Sequence, residues 1–317
     1  MPVFSHTIDK AVPGGMRLDR YVAEVLGLLS RSQIKARSLA GKINGKDVKI
    51  SRQVKTGDFI ELSWNEAEVS HLIPENISLA IIYEDGRSVV VNKEQGMVVH
   101  PGAGNRRSTL ANALYYRRLE RLGLPFQREA GDPAAGLRPG IVHRLDKETS
   151  GVIIAAYDDE ALAFLAGQFK ARTVRKTYIA IVSGIPGELK GRIETFIARD
   201  PRERKRFAVL EHGRYALTFY KVIKSWQNHS LLLLRPRTGR THQLRVHLRY
   251  LGHPIVGDSV YGISSTRFPL ASLMLHAKSL AITLPGESSQ RIFTAAMPER
   301  FITMIQQLDR VTGHGNA

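Results

Sequence analysis

The chain has 317 residues, 43% apolar and 24% charged, which is enough to bury a core in one large or two unequal domains and too apolar for a wholly disordered chain. It has no cysteine, which excludes disulfides and thiolate-bound metals, and its longest apolar runs fall far short of the roughly 20 residues needed to cross a bilayer. With 46 Lys and Arg against 29 Asp and Glu, the net charge of +17 points to a polyanionic partner, nucleic acid foremost.

The N-terminus MPVFSHTIDK lacks the charged start and apolar run of a signal peptide, so a cytoplasmic protein is expected. Leu18, Val22, Val25 and Leu29 recur at helical spacing and predict an amphipathic helix from Arg17 to about Gly27. Ser30 with Gln33 three residues on is a capping-box pattern that opens a second helix, for which Gly41 supplies the stop. Asn44-Gly45 between apolar positions predicts a hairpin, and GDFIELS from Gly57 a strand. Between Arg31 and Lys55 eight basic residues stand against one acid, Asp47, a net +7 on the second helix and hairpin. Such a face suits phosphate contacts.

WNEAEVSHLIPEN has no clear period and carries a proline, so residues 64–77 are expected to be a linker. LAIIYED and SVVVNKE predict strands, STLANALYYRR from Ser108 a capped helix, and Leu119 to Gly140 a long loop. Beyond it, strand signals (VIIAAYD, KTYIAIVSG, YALTFYKVI, SLLLLRPR, LMLHAKSLAITL) outnumber helices (DEALAFLAGQFK, RTHQLRVHLRYLG, ERFITMIQQL). The expected class is α+β: a mixed, mainly antiparallel sheet flanked by helices over residues 78–310, behind a small N-terminal α/β domain over 16–63.

Three patches in the larger domain hold polar groups without an evident packing role. They are HRLDKETSG from His143, RKTYIAIVSG with Tyr178 in an apolar strand, and RPRTGRTHQLRVHLRYLGHPIVGDSVYG. In the last, Leu244, His247, Leu248 and Leu251 form a buried helical stripe, with Arg240, Arg245 and Arg249 off it. His242 and His247 are five apart and diverge on a helix, which disfavours a metal site. HRLD is not preceded by the glycine loop of a kinase, and no G-x-S-x-G elbow is present. What is left is a lone carboxylate, arginines, a tyrosine and a basic module.

The stretch from Arg17 to Leu62 resembles the small RNA-binding domain named after ribosomal protein S-four, with KINGK keeping the family's turn. That resemblance implies RNA contacts by Arg31, Ser32, Lys35 and Lys42. GIVHRLDKETSG, KTYIA, and GRTHQLRVHL with LMLHA resemble the motifs of the pseudouridine synthases of the large-subunit ribosomal RNA type, and GMVVHPGAGNRRSTLANAL resembles the branch acting on the stem-loop at the subunit interface. The resemblance implies the pseudouridine synthase fold, ribosomal RNA or the pre-ribosomal large subunit as partner, and no cofactor, metal or membrane. It implies Asp146 as the catalytic carboxylate, by attack on carbon or by abstraction of a ribose proton. Arg245 is expected to pair with Asp146, Tyr178 to stack on the uracil, Leu244 and Leu275 to wall the pocket, and Arg144 to fill the gap left by the everted base. Two alternatives stand beside it: a non-catalytic RNA-binding or ribosome-assembly factor, and the same chemistry on transfer RNA.

Overall fold

The computed structural model describes residues 2–9, 12, 15–29, 34, 37–65, 72–102, 104–126, 140–203, 206–262, 268 and 271–313. The chain divides into two compact units, Met1–His71 and Leu72–Ala317. In the first, β1 (Val3–Thr7), β2 (Ala40–Ile43), β3 (Lys46–Val48) and β4 (Phe59–Ser63) form an antiparallel sheet in the order β1-β4-β2-β3. Helix α1 (Leu18–Arg20) runs on as a π-helical turn, Tyr21–Val25, in which the Leu26 N–H bonds the Tyr21 carbonyl. The wider turn explains a departure from the expected stripe: Leu18 and Val22 are fully buried, but Val25 rotates outward to 49% exposure.

The hairpin turns at Asn44 and Gly45, both at positive φ, and the Asn44 side chain fastens it to β4 by accepting the Phe59 N–H at 2.8 Å. Gly41 does not stop a helix; it lies inside β2, where a Cβ would stand 2.8 Å from Leu18 Cδ2, so the glycine lets the helix pack on the sheet. Of the second helix expected from Ser30, residues 30–33, 35 and 36 lie outside the described residues, and from Arg37 the chain turns into β2.

Among the described residues the second unit holds one sheet of ten strands. Its members are β5 (Ile81–Glu84), β6 (Ser88–Lys93), β7 (Ser150–Ala156), β8 (Arg175–Ser183), β9 (Lys190–Arg199), β10 (Phe207–Val209), β11 (Arg214–Trp226), β12 (His229–Pro236), β13 (Leu275–Thr283) and β14 (Gln290–Thr294). The order is β10-β9-β11-β12-β8-β13-β7-β6-β5, with β14 added on β13. Every pairing is antiparallel except β13 with β7, where His276 faces Ser150 and Ala277 faces Gly151. Beyond those two residues the same edge of β13 pairs β14 instead, so the sheet forks there. The helices are α2 (Leu110–Leu122), α3 (Asp159–Ala171), α4 (Gln243–Tyr250) and α5 (Glu299–Gly313).

All seven residues of β7 are buried because both faces are covered: Ile153 packs with Leu110 and Leu114 of α2, Ile154 with Ala161 and Leu165 of α3. α2 starts one residue later than the sequence suggests, with Thr109 as N-cap and Asn112 completing a capping box, and it runs past Leu119 to a left-handed Gly123. Most of the expected loop, 127–139, lies outside the described residues. No helix among the described residues is long and apolar enough to cross a membrane.

Candidate active site

Gly140 to Ser150 leads into β7 at the fork of the sheet. Gly140 has φ +56°, and a Cβ there would collide with the Ala156 carbonyl, so only glycine lets this segment lie against β7. His143 Nε2 accepts the Ile154 N–H at 3.1 Å while its ring stacks on Phe169 at 4.5 Å. Burial, with Lys176 nearby, pushes the imidazole down to about 3, so His143 is a neutral structural acceptor. Leu145 points into the core; Arg144 and Asp146 on either side point out of it.

The turn that carries Asp146 is held from behind. The Lys93 ammonium, at the end of β6 and 1% exposed, donates to the carbonyls of Glu94 at 2.7 Å, Met97 at 2.8 Å and Lys147 at 3.2 Å. Burial drives the lysine down to about 8, against the opposing pull of Glu148 and Asp146. Gln95 Nε2 donates to the Glu148 carbonyl at 2.9 Å. Ser150, at the exit of the turn, meets His276 Nδ1 at 2.8 Å and receives a bond from Arg300 of α5 at 2.7 Å. These contacts fix the backbone on which the aspartate sits.

In front of the turn, Arg245 Nη1 lies 3.8 Å from Asp146 Oδ2, and His242 Nε2 lies 4.0 Å from the same oxygen. Arg245 does not lie off the buried face of α4 as the sequence suggests. It is 6% exposed and forks onto Asp258, with Nε to Oδ2 and Nη2 to Oδ1 both at 2.7 Å. Asp258 also accepts the N–H groups of Val260 and Tyr261 at 2.9 Å. Burial works to raise this carboxyl, but Arg245 and the two N–H groups outweigh it and hold the acid below its ordinary range. The expected pairing of Arg245 with Asp146 is therefore the longer of two contacts, and the closer partner is an aspartate that the sequence reading missed.

His242 stands at the N-terminus of α4 with left-handed φ, +56°. The Tyr261 hydroxyl accepts the Phe207 N–H at 2.9 Å and meets His242 Nδ1 at 2.9 Å. Burial keeps this histidine lowered, more than the Asp146 charge raises it. His247 is structural: Thr195 and Thr218 bracket its ring at 3.0 and 2.9 Å, and burial pushes it down to about 4.

Asp146, Tyr178, Leu244 and Leu275 line one cavity of about 530 Å³, with Arg144, Lys170, Arg172, Arg214 and Arg237 around them. Asp146 is the sole carboxylate among the described residues lining it. Tyr178 enters from β8, beside Ala277 of β13, and burial followed by the Asp146 charge pushes its phenol up. Arg144 is exposed and, with Asp146, also lines a second cavity of about 820 Å³, to which His242 and Arg245 contribute. So Asp146, Arg245, Tyr178, Leu244, Leu275 and Arg144 come together. In the other unit Lys42 is exposed on β2, with Asp47 and Glu61 as its cross-strand neighbours, and Arg31, Ser32 and Lys35 lie outside the described residues.

A cavity whose one carboxylate is held among cations suits a polyanionic substrate, and comparison with known proteins agrees. The profile of the RNA pseudouridylate synthase family matches residues 87–250. A ribosomal large subunit pseudouridine synthase D from Borreliella burgdorferi is 43% identical over 92% of this chain and 89% of its own. One of the same name from Zymomonas mobilis is 38% identical over 93% and 94%. The solved structure of human RNA pseudouridylate synthase domain containing 4 is 27% identical over 73% of this chain and 93% of that one, with a TM-score of 0.57. The chain belongs to the RNA pseudouridine synthases, isomerases that act on RNA.

Proposed function

We propose that the protein isomerises uridines in the RNA of the ribosomal large subunit, in a stem-loop of the subunit interface, with Asp146 as the reacting carboxylate. The observation that carries the target is the 43% identity, along nine-tenths of the chain, to a relative named for the ribosomal large subunit. The geometry supports the residue: among the described residues Asp146 is the one acid in a cationic cavity that also presents an aromatic ring.

The reaction breaks the bond from uracil N1 to ribose C1′, turns the base in place and joins C5 to C1′; the hydrogen leaving C5 is balanced by one gained at N1. Nothing is oxidised and no group is lost, so no cofactor is called for. A base inside folded RNA must first be everted, at a cost of a few kcal/mol. Arg144 fills the vacated stack, and Tyr178 faces the base, a stacking contribution of roughly 1–3 kcal/mol. Leu244 and Leu275 exclude water from the ring. Asp146 then attacks a carbon or removes a ribose proton, and Arg245, 3.8 Å away, holds the carboxylate's charge toward the sugar. Asp258 positions Arg245.

The N-terminal unit is proposed as an S-four-like delivery module, spanning residues 16–63 and joined by 64–77, that grips structured RNA through its basic residues. The test is a site-by-site pseudouridine map of ribosomal RNA from cells with and without the gene. Loss of pseudouridine at large-subunit positions is expected; an unchanged map with losses in transfer RNA would redirect the proposal.

A further inference from the structure

Outside the cavity, β9 and β11 run antiparallel with one face buried and the other in solvent. The register puts Phe196 opposite Tyr215, Arg192 opposite Phe219 and Lys190 opposite Lys221, all on the solvent face. Phe196 is 46% exposed and Phe219 38%, a cost in apolar hydration that the core does not require. Phe196 and Tyr215 meet edge-on at 6.2 Å, and the Tyr215 hydroxyl is held by Glu194 at 2.8 Å, so these rings are fixed platforms. Arg235 lies opposite Phe219 on β12, and the Arg237 guanidinium sits 5.8 Å from the Phe219 ring. Five cations, Lys190, Arg192, Lys221, Arg235 and Arg237, thus surround the rings, with Glu194 as the one carboxylate among them.

Arg237 also lines the catalytic cavity, so this face continues from the mouth of the site. Phe219 and the Phe196–Tyr215 pair are separated by four residues of strand, on the order of 13 Å. We propose that this exposed face is a stacking surface for the single-stranded RNA that flanks the target stem-loop, with bases on Phe219 and Phe196 and phosphates on the five cations. The charge selects a polyanion over an apolar protein partner, and flat rings take any base face, so the surface extends the RNA footprint without reading sequence. The proposal rests on RNA being the substrate.

The test compares, by fluorescence anisotropy with the full-length protein, a labelled RNA hairpin with and without single-stranded extensions of about eight nucleotides at both ends. The extensions should tighten binding to the wild type. Phe196→Ala with Phe219→Ala should weaken the extended RNA about five-fold or more per ring and leave the bare hairpin within two-fold, roughly the lower bound for a stacked base. Phe219→Trp should keep the gain and Phe219→Leu should lose the share that the Phe219 ring supplies. Equal affinity of the double variant and the wild type for the extended RNA would overturn the proposal, as would full retention by Phe219→Leu, which indicates apolar contact without stacking. Failure to form pseudouridine in any RNA would instead count against the functional reading and leave these affinities standing.

Discussion

In the N-terminal unit Arg20 meets Glu24 at 2.8 Å with both side chains more than two-fifths exposed, whereas in the catalytic unit Arg245 meets Asp258 at 2.7 Å with the arginine 7% and the aspartate 0% exposed. The distances are nearly equal and the environments opposite. Water can replace either partner of the first pair, so that pair contributes little to stability. The second pair has no such substitute. Once buried, each member depends on the other, and the guanidinium is pinned where its free edge faces Asp146. An arginine–carboxylate contact of nearly the same length is thus replaceable in one unit and fixes geometry in the other.

Breaking the buried pair should have the largest effect on the fold. Arg245→Ala leaves Asp258 unpaired and should cost about 3–5 kcal/mol in denaturant melts as well as turnover. Replacing both residues with apolar ones should restore much of the stability and none of the turnover. Arg20→Ala should change neither, and equal losses for Arg20→Ala and Arg245→Ala would break the comparison.

Acid should expose the next difference. His247 and His276 are fully buried and pushed down to about 4, by burial first in both cases, with Arg300 and Lys278 adding to it at His276. The unfolded chain takes up these protons near pH 6.5 and the folded chain does not, so stability is complete above 6.5 and is lost as pH falls toward 4. By pH 5 each histidine should cost on the order of 2 kcal/mol. His247→Gln should flatten the pH dependence of the melt; an unchanged slope would refute this assignment.

Two smaller effects separate holding the base from holding the RNA. Tyr178→Phe should preserve binding, and Tyr178→Ala should weaken the RNA complex by roughly 1–3 kcal/mol. Deleting residues 1–63 should leave turnover at saturating RNA nearly intact. If the module neutralises about three phosphates, the slope of log K against log salt should flatten by about two to three units. An unchanged slope would show the basic residues of that unit to be mere surface.

The sequence was most legible where local pattern and tertiary setting agree. β7 reads as a strand because both faces are buried, and Asn44-Gly45 reads as a hairpin because the turn needs two left-handed residues. β9 escaped notice because Arg192, Glu194 and Phe196 alternate with Ile193, Thr195 and Ile197, which breaks up any apolar run. Asp146 and Tyr178 stand out as polar groups among apolar neighbours. Asp258 did not, because its partner is thirteen residues away and its burial follows from the folding of the 252–262 segment over α4. Lys93 looks like a solvated strand end, and only the fold brings three carbonyls to it.

The most direct test uses unmodified large-subunit ribosomal RNA, the purified wild type and Asp146→Asn, with pseudouridine mapped nucleotide by nucleotide and RNA affinity measured alongside. The wild type should convert defined uridines, and the variant should convert none while binding the RNA within a few-fold as tightly. Conversion by Asp146→Asn at even a tenth of the wild-type rate would contradict the role given to this carboxylate.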